Sequence, residues 1–156
     1  MAARLNDNNI KVWWVTTLSS TTSPTASQIS AGTAIESWIT ADGLEISQDQ
    51  NFVDVSVLNS ASELQDFGRS KLDASLTMKR DSTDTAWTTF ASQPSGYLVV
   101  RRGVANTTAA TASQKVEVYP VKASIRMPIK PAANDMEKFT VKFALTADYV
   151  TEATVA

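Results

Sequence analysis

The chain has 156 residues and a formal net charge of −2, and it contains neither cysteine nor histidine. This composition favours one domain with a hydrophobic core, and it excludes disulfides, Cys/His zinc sites and imidazole-based catalysis. A mildly acidic chain is also poorly suited to holding a phosphate backbone tightly. The first residues lack the apolar core of a signal sequence and no apolar run approaches about 20 residues, so we expect synthesis in a cytoplasm and no membrane partner.

The first third of the chain combines strand signals with a polar connector. The aromatic and β-branched run 10–15 predicts a strand or an ordered arm. Residues 18–33 are rich in Ser and Thr, which indicates an extended, flexible connector. Apolar and polar residues alternate over 44–47 and 53–57, which predicts a strand pair or one bulged strand.

A polar segment, residues 59–69, separates this region from the next strand. It contains two large apolar residues, Leu64 and Phe67. These side chains either fold back onto the domain or dock into a neighbouring copy, and the sequence leaves both interpretations open.

The central stretch predicts a strand, a short helix and a second strand. In 72–79 every second residue is apolar, which predicts one buried face. Asp81 and Ser82 can cap a helix of two or three turns near 84–91, and that helix would pack Trp87 and Phe90 onto the sheet.

The last third predicts further strands. Alternation is clearest over 139–146, and residues 147–156 form a tail. Pro120 interrupts another alternating stretch, which indicates a sheet edge or a bulge. We therefore predict one α+β domain, mainly antiparallel, with one short helix.

Candidate chemistry is limited to carboxylates. Asp49 with Asp54, or Asp81 with Asp84, can in principle form an acid/base pair or hold calcium. No metal-loop or phosphate-loop motif accompanies them, so we expect no enzymatic activity, no cofactor and no metal site. Arg101 and Arg102, with Lys79 and Arg80, are expected to pair with acidic residues rather than to bind nucleic acid. The four tryptophans are spread over separate elements, which favours core and interface roles over a sugar-binding platform: Trp13, Trp14, Trp38 and Trp87.

Several short segments follow one another in a characteristic order: 31–35, 39–44, 75–81, 96–103, 118–121, 138–141 and 144–147. Their order and spacing, rather than any single strict motif, resemble the major tail (tail tube) proteins of long-tailed bacteriophages of the actinobacterial-host type. The resemblance covers the chain from Ala31 onward.

The resemblance implies a tail-tube-like β-sandwich with one short flanking helix. Its strands would contribute to an inner barrel shared by a hexameric ring, and stacked rings would form the virion tail tube that delivers double-stranded DNA to the host. A single tail tube domain would span 1–156, with an N-terminal arm (1–34) and a C-terminal tail (147–156) that reach adjacent subunits. The implied partners are further copies of the chain, a tape measure protein, a tail terminator and DNA in transient, non-specific passage.

Three sets of site residues follow from this resemblance. Leu64 and Phe67, in the segment that matches the long hairpin insertion, would contact the next ring. Asp73, Ser75 and Thr77, on the polar face of strand 72–79, would line a lumen that is neutral to negative overall. Trp13 and Trp14 would belong to the inter-subunit arm. The alternatives are a tail-terminator or head-tail joining ring protein, and a β-sandwich module that binds carbohydrate or a surface.

Overall fold

The computed structural model describes residues 2–156, which form nine strands and two short helices. All strand pairs are antiparallel, and the order across the sheet is β2-β1-β5-β6-β8-β4-β3, with β7 paired to β8 and β9 to β6. The elements are β1 Ile10–Val15, α1 Ala26–Ala31, β2 Thr33–Ala34, β3 Ile39–Asp54, β4 Gln65–Lys79, α2 Thr85–Thr89, β5 Ser95–Arg102, β6 Lys115–Ala123, β7 Met127–Pro128, β8 Lys138–Leu145 and β9 Val150–Thr154. The predicted mainly antiparallel α+β fold is confirmed.

The sheet curls around a first hydrophobic core. Trp14 of β1 and Phe143 of β8 have ring centroids 5.8 Å apart, although β5 and β6 separate these strands in the sheet. Phe90, directly after α2, is fully buried and packs edge-on against both rings, at 5.1 Å and 5.8 Å. The predicted short helix therefore exists and places Phe90 in the core, but it has five residues rather than two or three turns.

A second core covers the outer face of the β1–β5–β6 half of the sheet. Trp13, Val99 and Val118 point away from the first core and pack with Ile29 of α1 and with Val155. The prediction that 18–33 is a flexible connector is thus wrong in part. Its Ser/Thr-rich composition concealed a helix because one apolar side chain, Ile29, is enough to dock so short an element.

Trp13 and Trp14 are core residues of this chain. They lie on opposite faces of β1, and only 4% and 3% of their surfaces are exposed. Strand β1 pairs along its whole length with β5, which fixes both indoles inside the protein. An inter-subunit arm would need accessible side chains, so the structure corrects the role predicted for this pair.

Pro120 lies inside the sheet rather than at its edge. It is buried in β6, which pairs with β9 over Lys115–Val118 and with β8 from Val121 onward. The proline falls in the gap between these two partners, where the missing N–H breaks no ladder bond.

Helix α2 is fixed by charged side chains at its start. Asp84, at φ 52°, accepts two hydrogen bonds from the Arg80 guanidinium, at 2.9 and 2.7 Å. These bonds hold the pKa of the Asp84 carboxyl below its usual value. Arg80 also lies 4.4 Å from the Trp87 ring centroid, and Trp87 packs edge-on against Phe139 at 5.0 Å.

Trp87→Ala should lower the free energy of unfolding by about 3 kcal/mol, the low end for a large-to-small core change, because the ring is only half-buried. Chemical denaturation of the unassembled protein measures this, with Ser92→Ala, an exposed position, as the control. Unchanged stability would show that α2 is not held by this ring.

Asp84→Asn should make stability less dependent on pH. Since the folded-state pKa of Asp84 is below the ordinary 3.8, its ionised form stabilises the fold above about pH 4, and this contribution is lost as pH falls through the folded value. Denaturation midpoints between about pH 2 and 6 test this against Asp148→Asn, which removes an exposed carboxylate. Equal pH slopes for both variants would contradict the expectation.

Candidate assembly surface

Strands β3 and β4 form a hairpin that projects beyond the core. Leu72 is the last buried residue of β4 on the way to the hairpin end, and the seven residue steps from Leu72 to Gln65 span about 24 Å. We call residues 48–71 the hairpin arm; all of them are exposed except the half-buried Ser60 and Gly68. The predicted polar loop 59–69 is loop only in part, because Gln65 onward belongs to β4.

The hairpin arm exposes seven large apolar side chains: Phe52, Val53, Val55, Val57, Leu58, Leu64 and Phe67. Leu64 is 47% exposed, and Phe67 is 64% exposed although it stacks on Phe52 at 5.3 Å. The interpretation that Leu64 and Phe67 fold back onto the domain is therefore wrong. This many exposed apolar side chains on one projecting element is typical of a region that a partner buries.

A β-bulge determines which face of the arm carries Phe67. Between the pairs Gln50↔Ser70 and Phe52↔Phe67, β3 advances two residues and β4 advances three. Without the extra residue Gly68 would lie opposite Phe52, and Phe67 would point to the other face. Glycine suits this position because a Cβ would lie 3.1 Å from the Val53 side chain and 3.3 Å from the Asn51 carbonyl oxygen, so both would have to shift by a few tenths of an ångström.

Both long edges of the arm are unpaired within residues 2–156. β3 is the last strand of the sheet, and β4 pairs with β8 only from Ala74 to Lys79. The arm therefore offers two rows of free backbone N–H and C=O groups, which can pair with strands of another chain.

The outer face of the β3–β4–β8 half of the sheet is polar. Asp73, Ser75 and Thr77 lie there together, on the side of β4 opposite to the first core. Ser75 is flanked by Glu45 of β3 and Lys142 of β8, and the Thr77 hydroxyl lies 3.4 Å from the Thr140 hydroxyl.

Charge on this outer face is nearly balanced. Strand pairing places carboxylates and lysines on it in similar numbers: Glu45, Asp49 and Asp73 against Lys71, Lys79, Lys138 and Lys142. The face predicted to form a wall that is neutral to negative overall thus carries charges of both signs, with one lysine in excess.

The carboxylate pairs do not form a reactive site. Asp49 and Asp54 are five residues apart on β3 and so face opposite sides of the strand. Asp81 accepts hydrogen bonds from the Thr83 hydroxyl and the Trp38 indole N–H, which lower its pKa, and Asp84 is bound by Arg80. Among residues 2–156 there is no group of three or more His, Cys, Asp or Glu side chains arranged to hold a metal ion.

An antiparallel β-protein with a projecting apolar arm and open strand edges has the properties of a subunit of a larger assembly. A family model described as "Phage tail tube protein" matches residues 1–156. The chain therefore belongs to the phage tail tube protein family. It is a structural component of the virion tail that assembles into an oligomeric tube, and the family is not enzymatic.

The fold is similar to that of a chain in a solved structure. A chain of the cryo-EM structure of the anti-feeding prophage (AFP) baseplate, 6-fold symmetrised, is similar with a TM-score of 0.64. The match covers 96% of this chain and 96% of that chain at 9% identity, so it shows the fold alone. None of the curated proteins matches the sequence. No helix in the described part of the chain is long and apolar enough to cross a membrane.

Proposed function

We propose that six copies of this protein close into a ring, that the rings stack into the tail tube, and that double-stranded DNA passes through the tube to the host. The observation that carries the proposal is the hairpin arm, which exposes seven apolar side chains and two unpaired strand edges. In a member of the tail tube family, such a surface is expected to contact other subunits. The 6-fold symmetry named for the similar baseplate structure supports a ring of six.

Ring closure follows from the open edges. Pairing of β3 of one subunit with a strand of the next satisfies the free backbone groups and extends the sheet from subunit to subunit. A sheet extended around a closed ring becomes a barrel, which has no edges left and so stops growing at a fixed number of subunits.

Ring stacking uses the end of the arm. Phe67 and Leu64 lie five and eight residues from Leu72, about 17 and 27 Å along the arm, which is far enough to reach a copy in the next ring. Burial of their exposed surface there supplies a hydrophobic contribution that the isolated subunit lacks.

The outer face of the β3–β4–β8 half is the proposed wall of the bore. Asp73, Ser75 and Thr77 present a carboxylate and two hydroxyl groups, and the face as a whole has four lysines against three carboxylates. A wall without a large positive excess gives DNA weak, replaceable contacts, so the duplex can slide.

The chain acts as one tail tube domain whose termini contact adjacent subunits. Residues 9–34 and 147–156 pack on the sheet through β1, α1 and β9. Residues 2–8 are exposed and are the part of the N-terminal arm proposed to reach a neighbour, although the Asn8 carbonyl oxygen accepts a hydrogen bond from the Asn106 N–H. A tape measure protein within the tube and a tail terminator at its end complete the proposed set of partners.

Replacement of both Leu64 and Phe67 by Ser should leave the subunit folded and abolish tube formation, because the contact loses its apolar surface. Circular dichroism reports the fold and negative-stain microscopy reports the tubes. Asn59→Ser with Gln65→Ser, two exposed polar positions of the same arm, is the matched control. Tubes of normal length from the Leu64/Phe67 variant would refute the role of the arm in stacking.

Asp73→Lys or Thr77→Lys should permit assembly but slow genome ejection, because an added positive charge in the bore attracts the DNA phosphates. The effect should be larger at low salt, where fewer ions screen this attraction. Ejection kinetics of phage carrying each variant test this. Asp148→Lys changes the net charge as much as Asp73→Lys does and lies off the proposed wall. Ejection at the parental rate in low salt would show that these positions do not line the channel.

A further inference from the structure

A second exposed apolar surface lies in the segment between β7 and β8, at the end of strand β4 opposite to the hairpin arm. Ile129 and Met136 are 39% and 54% exposed. They line an open cavity of about 290 Å³ together with two further apolar and four charged residues: Pro131, Ala132, Lys130, Asp135, Glu137 and Lys138. We call this the 129–138 cavity.

The cavity and the phenylalanine pair of the hairpin arm lie at opposite ends of β4. Lys138, which lines the cavity, pairs with Lys79 at one end of that strand, whereas Phe67 lies near the other. Twelve residue steps separate Lys79 from Phe67, a distance of about 40 Å along the strand. The two surfaces therefore cannot meet within one subunit, but a neighbour displaced along the strand direction brings them together.

The apolar part of the cavity is suited to an aromatic ring in size and chemistry. A cavity of about 150 Å³ lined by apolar side chains accommodates one benzene ring, so 290 Å³ leaves room for an inserted phenyl group. Aromatic rings also make favourable contacts with methionine sulfur, which Met136 supplies.

Charge at the rims is complementary. The arm carries a charge of −2, from four carboxylates and two cations: Asp49, Asp54, Glu63 and Asp66 against Arg69 and Lys71. At the cavity, Asp135 is paired with Lys138 at 2.7 Å and Glu137 with Arg80 at 2.9 Å, so Lys130 is the charged side chain of the lining that makes no ion pair within residues 2–156. Opposite charges at the edge of an apolar contact favour one orientation of the two copies over others.

We propose that the Phe52–Phe67 pair of one subunit docks into the 129–138 cavity of a neighbouring copy of this chain. This inference rests on the proposed function, in which the arm is a contact between subunits, and it names the surface that receives the arm. The contact is heterologous, with a different surface on each partner, so it propagates from copy to copy instead of closing a pair. The docking depends on the bulge at Gly68, because the bulge brings the Phe52 and Phe67 rings to one face of the arm.

Cross-linking between two singly substituted proteins tests the contact, because the chain contains no cysteine of its own. Glu63→Cys and Lys130→Cys lie at the two rims and leave the apolar contact intact. Mixed, assembled and treated with a short bis-maleimide, they should give a covalent dimer on a denaturing gel. Neither variant should do so alone, since each has thiols on one surface only. Ser92→Cys, at an exposed position outside the arm, the cavity and the termini, replaces Lys130→Cys in the control mixture and should yield little dimer.

A second pair, Phe67→Cys with Met136→Cys, probes the centre of the contact by disulfide formation, which requires the two Cα atoms to approach within about 7 Å. Cross-links in either pair that exceed the Ser92→Cys control support the docking. Variants that form tubes like those of the parent protein, but give no cross-link in either pair, would overturn the docking and leave the proposed function standing. Absence of tubes from the parent protein would overturn both.

Discussion

The contact among Trp14, Phe90 and Phe143 is the interaction on which the remaining structure depends. These three rings come from β1, from the residue after α2 and from β8, and they meet at centroid distances of 5.1 to 5.8 Å. Each aromatic side chain buries about 150–250 Å², so together they contribute a large part of the first core. By joining strands that are not neighbours they hold the sheet in its curled form.

The curl makes the two halves of the sheet different. The β1–β5–β6 half is covered on its outer face by α1 and the C-terminal segment, whereas the outer face of β3–β4–β8 remains polar and accessible. The outer face of β3, β4 and β8 is therefore accessible to another molecule. Beyond Ala74, β3 and β4 pair only with each other within residues 2–156 and form the hairpin arm. The same asymmetry therefore produces both the proposed wall of the bore and the surface proposed to join subunits.

Arg101 holds the loop 103–114, between β5 and β6, against the covered half of the sheet. Its buried guanidinium donates hydrogen bonds to the carbonyl oxygens of Ala105, Thr108 and Ala109, and to the side-chain oxygen of Gln114. Burial lowers its pKa, because the charged form loses water. The neighbouring Arg102 instead pairs with Glu117 across the strands at 2.9 Å, as the sequence predicted for both arginines.

The sequence by itself determined the period-two strand at 72–79, the aromatic segment that became α2 with Phe90, the mainly antiparallel fold and the family. These features are local patterns, or an order of local patterns, and need no knowledge of what packs against them. Only the tertiary structure decided that Trp13 and Trp14 are core residues, that a Ser/Thr-rich connector holds α1, and that Phe67 shares a face with Phe52. Alternation shows that a strand has an apolar face, but the element that covers this face comes from elsewhere in the chain, and one extra residue in a bulge reverses the direction of every side chain beyond it.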